Sequence, residues 1–221
     1  MTDSAIKPYK GMAMEGVVAR WYARNTARDR SRFEGVARAI CERVPPSGQI
    51  LEVAPGPGYL AIELAKSGRK VAALDISQSF VEMVARNAAA AGVTVDARHG
   101  NASAMPFAAE SFDYVVSMAA FKNFSEPVAA INEMHRILKP KGRASIYDLR
   151  KDAAPQDIDL EVARMRLPMM SRVLTSWIFR YGLLRIAYTS EQMRRMAEQS
   201  RFGGCEMADA GIGFEARFTK E

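Results

Sequence analysis

The stretch Ile50 to Ala65, ILEVAPGPGYLAIELA, constrains this chain more than any other. Ile50, Leu51 and Val53 read as a short buried strand, Ala54 to Gly58 as a Pro/Gly turn, and Tyr59 onward as a helix with Leu60, Leu64 and Ala65 on one side. A strand running through a glycine turn into a helix aims backbone N–H groups at a ligand by the helix N-terminus. Gly56 and Gly58 let the chain bend tightly and let a ligand lie against bare backbone.

The chain downstream repeats that unit. Lys70 to Leu74 is a second strand ending in Asp75, and Ser77 caps a helix from about Gln78 to Ala91 that stops at Gly92. Strands follow at Thr94 to Arg98, Phe112 to Met118 and Arg143 to Tyr147, with a helix from Pro127 to Leu138 closed by Lys139-Pro140-Lys141-Gly142. Strands alternating with helices specify a doubly wound α/β sheet, parallel in its core and covered on both faces. Two helical patterns precede it, at 11–25 (Met14, Val17, Val18, Trp21, Tyr22) and 29–43 (Phe33, Val36, Ala37, Ile40). Residues 151–189 interrupt the alternation with a helix near Asp157 to Arg166 and a Met and aromatic stripe at 169–184. A helix from Thr189 or Ser190 and strands near Cys205–Ala208 and Phe214–Thr219 end the chain. The expected organisation is one domain: an N-terminal helical lid (1–45), a core (46–150), an inserted helical lid (151–189) and a C-terminal helix with strands (190–221).

No run approaches the ~18 apolar residues of a membrane span, and the N-terminus lacks an apolar signal core. Cys41 and Cys205 stand far apart and match no metal spacing, as in a reduced, cytoplasmic protein. The net charge of +6 is localised: residues 1–44 carry nine Lys/Arg against five Asp/Glu, and residues 151–190 carry six against four. The plain reading is solvated helix faces. The sharper one is a positive field near a cleft, suited to an anionic substrate, acidic lipid headgroups or nucleic acid.

Gly56-Pro57-Gly58-Tyr59-Leu60-Ala61 fits GxGxxG/A, and Asp75 follows Gly56 by nineteen residues, so a dinucleotide is a competitor for the turn. Other features favour a different nucleotide. Glu52, inside the first strand, places a carboxylate where an amino group would be held and a pyrophosphate repelled. Asp75 can accept from both ribose hydroxyls, and Asn101-Ala102 after the third strand can meet an adenine edge. Ser111-Phe112-Asp113-Tyr114-Val115-Val116 and Glu133 to Arg143 stand at the spacing of the fourth strand and the turn before the fifth.

With these residues the chain resembles the class I S-adenosylmethionine-dependent methyltransferases, in the type-11 group that includes ubiquinone-biosynthesis-like enzymes. The resemblance covers about residues 48–150 and, less closely, the final strands. It implies a last strand running antiparallel, S-adenosylmethionine as cofactor, its methionine part on the glycine turn, its ribose on Asp75 and its adenine against Ile76. Glu52, Ala54, Gly56, Gly58, Asn101, Ala102 and Ser117 complete the expected cofactor contacts. The chain departs from the family at Ala54, where glycine is usual, at Asn101, where aspartate is usual, and at Lys122, which stands where many members carry histidine.

Methyl transfer from a sulfonium needs in-line alignment above all, and a general base only for a protonated nucleophile. Lys122, Tyr147 and Asp148, at the C-terminal strand ends, are the candidates for catalysis. Two of them have plainer readings: Lys122 as a solvated loop lysine, Asp148 as a strand-end cap. Tyr22, Asn123, Met169, Met170, Trp177 and Tyr181 are candidates for the acceptor side, the stripe at 169–184 being a roof over the acceptor or an ordinary packed helix. His99 and His135 read as structural. The expected acceptor is a small, partly apolar molecule methylated at O, N, S or C. Rival readings are a lipid or quinone methyltransferase at a membrane surface, a cofactor-binding protein without methyl transfer, and an RNA or protein methyltransferase. No nucleic-acid module is visible, and DNA is not expected as a partner.

Overall fold

The computed structural model describes residues 9–10, 14–26, 30–164, 175–177, 182 and 184–221. Seven strands form one sheet in the order β3-β2-β1-β4-β5-β7-β6. They are β1 (Gln49–Val53), β2 (Lys70–Asp75), β3 (Asp96–His99), β4 (Phe112–Met118), β5 (Leu138–Leu149), β6 (Glu206–Ala210) and β7 (Gly213–Thr219). The first five are mutually parallel where they pair, β7 runs antiparallel to β5, and β6 antiparallel to β7. The order reverses at β1/β4, so the opening at the C-terminal ends of β1 and β4 is the switch point where open α/β sheets bind ligands.

Burial follows position in the sheet. β1, β2 and β4 are largely buried on both faces, as their mostly apolar residues require, with the polar Glu52 and Ser117 buried among them, whereas edge strand β3 is mostly exposed. One face carries α2 (Arg30–Cys41) and α3 (Tyr59–Lys66), which pack Ala37, Ile40, Leu60 and Leu64 on Ile50, Val71, Tyr114 and Val116. The other carries α5 (Pro127–Ile137) and α7 (Ser190–Glu198), which pack Ile131, Met134, Met193 and Ala197 against Leu51, Val115, Ile146 and Phe218. α4 (Gln78–Ala90) joins α1 (Gly16–Thr26) through Ala19, Ala23, Phe80 and Met83. α6 (Pro155–Arg164) buries Ile158 and Val162 with Leu184 beyond β5.

Local chemistry sets the helix ends. The Ser77 hydroxyl accepts from the Phe80 N–H at 3.1 Å to start α4, and Thr189 with Gln192 forms a reciprocal capping box on α7. Pro127 opens α5, where a missing N–H costs nothing. One boundary differs from expectation. β5 begins at Leu138, directly out of α5, and the register to β4 shifts between Phe112 and Tyr114. Lys139 to Gly142 therefore forms an irregularity inside the strand rather than a loop before it. Lys141 sits at φ +64°, and a Cβ on Gly142 would lie 2.8 Å from the Lys139 carbonyl oxygen.

Among the described residues, no helix is long and apolar enough to cross a membrane. An open groove of about 370 Å³ lined by Gln49, Lys70, Asp96, Arg98 and Phe107 lies at the N-terminal strand ends. That is the edge opposite the switch point, so the groove plays no part in the site built below.

Candidate active site

The site begins with the turn after β1. Ala54 at φ +56°, Gly56 at +54° and Gly58 at +81° fold the chain back so that α3 starts beside β1. A Cβ on Gly58 would stand 2.9 Å from Val84 of α4, so this glycine is required twice, by its dihedral and by close helix packing. At Gly56 only the dihedral demands glycine, since its nearest neighbour, Tyr22 Cε1, would be 3.6 Å away.

Two carboxyls flank the turn. Glu52 is 2% exposed, and its Oε2 is buried with no hydrogen-bond partner. Burial pushes its pKa up to about 8; the Ala61 backbone amide opposes the rise and nearby Asp75 adds to it. Asp75, at the end of β2, accepts from the Gly56 N–H at 3.1 Å through one oxygen and from the Ser77 N–H at 2.9 Å through the other. Burial lifts Asp75 to about 6, against those two N–H bonds. Asp75 thus clamps the glycine turn to the start of α4, a structural duty that its place at the end of β2 does not disclose in sequence.

Beyond Asp75 the turn is closed by Gly100, whose N–H bonds the Asp75 carbonyl at 2.9 Å, and by His99, whose Nε2 lies 3.0 Å from the Ile76 carbonyl. Ile76 is half-buried beside it. Asn101 uses its Oδ1 to accept from the Ser103 N–H at 2.9 Å, and Ala102 is half-buried in the same turn. Ser117 is not brought to this group. Glu52 pairs with Val116, so the next residue along faces the other side of the sheet, where the Ser117 hydroxyl is wholly buried without a partner.

At the ends of β4 and β5, Lys122 and Asp148 come together. Lys122, in the 3-10 turn Phe121–Asn123, is 7% exposed rather than solvated, which corrects the loop-lysine reading. Its Nζ donates to Asp148 Oδ1 at 2.9 Å and to the Ala119 carbonyl at 2.7 Å, while its backbone N–H donates to Asp148 Oδ2 at 2.8 Å. The Leu149 N–H takes a further lone pair at 2.8 Å, so Asp148 is engaged as an anchor of this turn. Tyr147 faces away from Asp148 and donates to Glu215 Oε1 at 2.7 Å. Burial holds its phenol well above the ordinary tyrosine range, which removes it as a base at neutral pH.

The acceptor-side residues are only partly brought together. Tyr22 lies edge-on to Phe80, with ring centroids 6.0 Å apart, and against Gly56, placing it at the glycine turn. Asn123 accepts the Lys10 N–H through its carbonyl at 2.7 Å. Trp177 is 60% exposed. Met169, Met170 and Tyr181 lie outside the described residues.

Two features escaped the sequence reading. Glu15 accepts from the Gln78 and Ser79 N–H groups at 3.0 and 3.1 Å, tying the segment before α1 to the N-terminus of α4. Glu215 gathers Arg43, Ser145, Tyr147 and Arg217; burial alone would raise its pKa, but those four donors bring it to about 2. The alternation of Phe214, Ala216 and Phe218 with Glu215 and Arg217 carried the signal for this network.

Residues 51–146 match the family model described as Methyltransferase domain, Methyltransf_11. This segment is a methyltransferase domain of the type-11 family. The chain is 32% identical over 159 residues to a demethylmenaquinone methyltransferase of Clavibacter sepedonicus, covering 69% of this chain and 63% of that protein. It is 29% identical to a ubiquinone/menaquinone biosynthesis C-methyltransferase of Rhizobium meliloti, covering 74% of this chain and 64% of that one. The chain therefore spans just under two thirds of the length of these curated relatives. A solved structure, a putative S-adenosyl-L-methionine-dependent methyltransferase from Methanococcus maripaludis, superposes with a TM-score of 0.73 over 96% of this chain and 95% of that one, at 20% identity.

The methyltransferase domain implies S-adenosylmethionine, and the residues of the turn fit it. A buried carboxyl oxygen without a partner needs a donor, and the cofactor's ammonium is one. Gly56 leaves backbone bare beside it, and Asp75 retains acceptor capacity beyond its two N–H bonds.

Proposed function

We propose that the chain transfers the methyl group of S-adenosylmethionine to a small, partly apolar acceptor. The observation that carries this reading is the unpartnered Glu52 oxygen buried between the glycine turn and Asp75. Pyrophosphate, the alternative ligand for such a turn, would meet two carboxyls there; a cofactor with an ammonium meets its complement. S-adenosylmethionine supplies a methyl group on a positively charged sulfur. Asp75 accepts from the ribose hydroxyls, Glu52 holds the ammonium, and Ile76 with the Gly100–Ala102 turn backs the adenine. Tyr22 closes the glycine turn from α1. The acceptor approaches from the C-terminal ends of β4 and β5, where the Lys122–Asp148 pair fixes the 3-10 turn and Asn123. The main contribution to rate is alignment of the acceptor with the methyl group. In the decisive experiment, S-adenosylmethionine and its demethylated product raise the melting temperature and NAD and NADP do not, because a ligand of the folded state alone stabilises it. Stabilisation by NAD alone would reverse the assignment.

A quinone-type acceptor is a second reading, favoured by relatives named as demethylmenaquinone and ubiquinone/menaquinone methyltransferases. Radiolabelled methyl transfer to demethylmenaquinone tests it. No incorporation, beside turnover of another apolar acceptor, would remove it.

A further inference from the structure

We infer that Glu52 exchanges a proton for the cofactor: it is neutral in the free protein, ionises when an ammonium enters the glycine turn, and so makes cofactor binding release a proton. The inference rests on the assignment of S-adenosylmethionine to this turn.

Glu52 lies in the middle of the sheet, 2% exposed, with Oε2 facing no donor. Among the described residues, the elements around it bring no cationic side chain to this oxygen. β4 presents Val116 opposite it, and α3 offers only the Ala61 backbone amide. β2 contributes Asp75, a carboxyl of the same sign, itself acted on by Glu15. α1 brings the uncharged Tyr22 to Gly56. Further across this face, Arg43 and Arg217 are committed to Glu215. A carboxyl so placed keeps its proton, and burial lifts its pKa to about 8. An entering ammonium reverses the balance. The O–H bond of Glu52 breaks, the proton passes to solvent, and the carboxylate pairs with the R–NH₃⁺ group, conserving charge overall. Ligands that carry the adenosyl group without the amine, such as 5′-methylthioadenosine, satisfy Asp75 and leave Glu52 protonated. Glu52 thereby distinguishes an amino-acid nucleoside from a plain one, more strongly as pH rises towards 8.

Isothermal titration at pH 7.0 in phosphate, HEPES and Tris tests this, since the slope of observed enthalpy against buffer ionisation enthalpy counts released protons. That pH lies above the value of about 6 to which Asp75 is raised, so Glu52 dominates the count. S-adenosylmethionine should release most of one proton, net of the small uptake by its own α-amino group, and 5′-methylthioadenosine far less. Glu52→Gln, which keeps the shape and cannot ionise, should remove most of the release. Wild-type affinity for S-adenosylmethionine should rise about five- to tenfold from pH 6.5 to 7.5, and that of the variant much less. If Glu52→Gln does not fold, the wild-type contrast between the two ligands carries the test. Tight binding with no buffer dependence, or equal release by the two ligands, overturns the inference and leaves the cofactor assignment standing. No binding of S-adenosylmethionine overturns both.

Discussion

Ala54 holds a left-handed backbone at φ +56°, where the family usually has glycine. A Cβ in that region costs roughly 1–2 kcal/mol, and glycine gives back about 0.5–1 kcal/mol through a freer unfolded chain. Ala54→Gly should therefore stabilise the protein by up to ~1 kcal/mol, read as a higher urea midpoint with unchanged m; a lower midpoint would mean that the Ala54 methyl packs better than its dihedral suggests. Glu52 and Asp75 give a second prediction. Their pKa values of about 8 and about 6 exceed the ordinary carboxyl range, so the folded chain keeps protons that the unfolded chain has released. The stability this supplies is complete below about pH 4, the unfolded value. It is lost as pH rises through the folded values. Between pH 6.5 and 7.5 the loss belongs mainly to Glu52 and reaches up to ~1.4 kcal/mol per pH unit. Urea denaturation of the free protein should show that fall, and Glu52→Gln should flatten it. Equal slopes for the two proteins would mean that Glu52 is ionised when free.

Among the elements, the 3-10 turn after β4 depends on one buried ion pair. Lys122→Met leaves Asp148 charged and without its partner, a change that costs ~3–5 kcal/mol in buried pairs. The double variant Lys122→Met/Asp148→Asn should recover part of that loss; if the single variant is as stable as the wild type, the pair does not hold the turn. The segment before α1 depends on Glu15. Replacing it by alanine removes the acceptor for two N–H groups at the start of α4, worth about 1 kcal/mol. That change should speed proteolysis near residue 14 and weaken S-adenosylmethionine binding, because α1 carries Tyr22 over Gly56. Unchanged proteolysis would detach α1 from the closure of the turn. These element-scale contacts were poorly legible in sequence. Glu15 and the helix end it caps are separated by more than sixty residues, and Lys122 reads as a loop lysine until β5 brings Asp148 against it.

At the scale of the molecule, much of the sheet is legible in sequence, because its central strands are mostly apolar and β7 alternates. β1, β2 and β4 emerge as mostly apolar runs, broken by Glu52 in β1 and by Asp113 and Ser117 in β4, and β7 as strict alternation. Ser77 and Thr189 announce their helices through their own side chains. The start of β5 is hidden in sequence because Pro140 and Gly142 look like a loop, and only pairing with β4 makes them an irregularity within a strand. The glycine turn and Asp75 follow a local motif of fixed spacing, which makes their geometry legible in sequence. The residues expected on the acceptor side come from distant segments, and Met169, Met170 and Tyr181 among them lie outside the described residues. The central claim is that the turn between Glu52 and Asp75 holds S-adenosylmethionine. A crystal structure of the chain with the demethylated product, S-adenosylhomocysteine, tests it most directly. It should place the ribose diol on Asp75, the ammonium within hydrogen-bonding distance of Glu52 Oε2, and the adenine against Ile76. Product bound elsewhere, with the Glu52 oxygen still facing no donor, would contradict the claim.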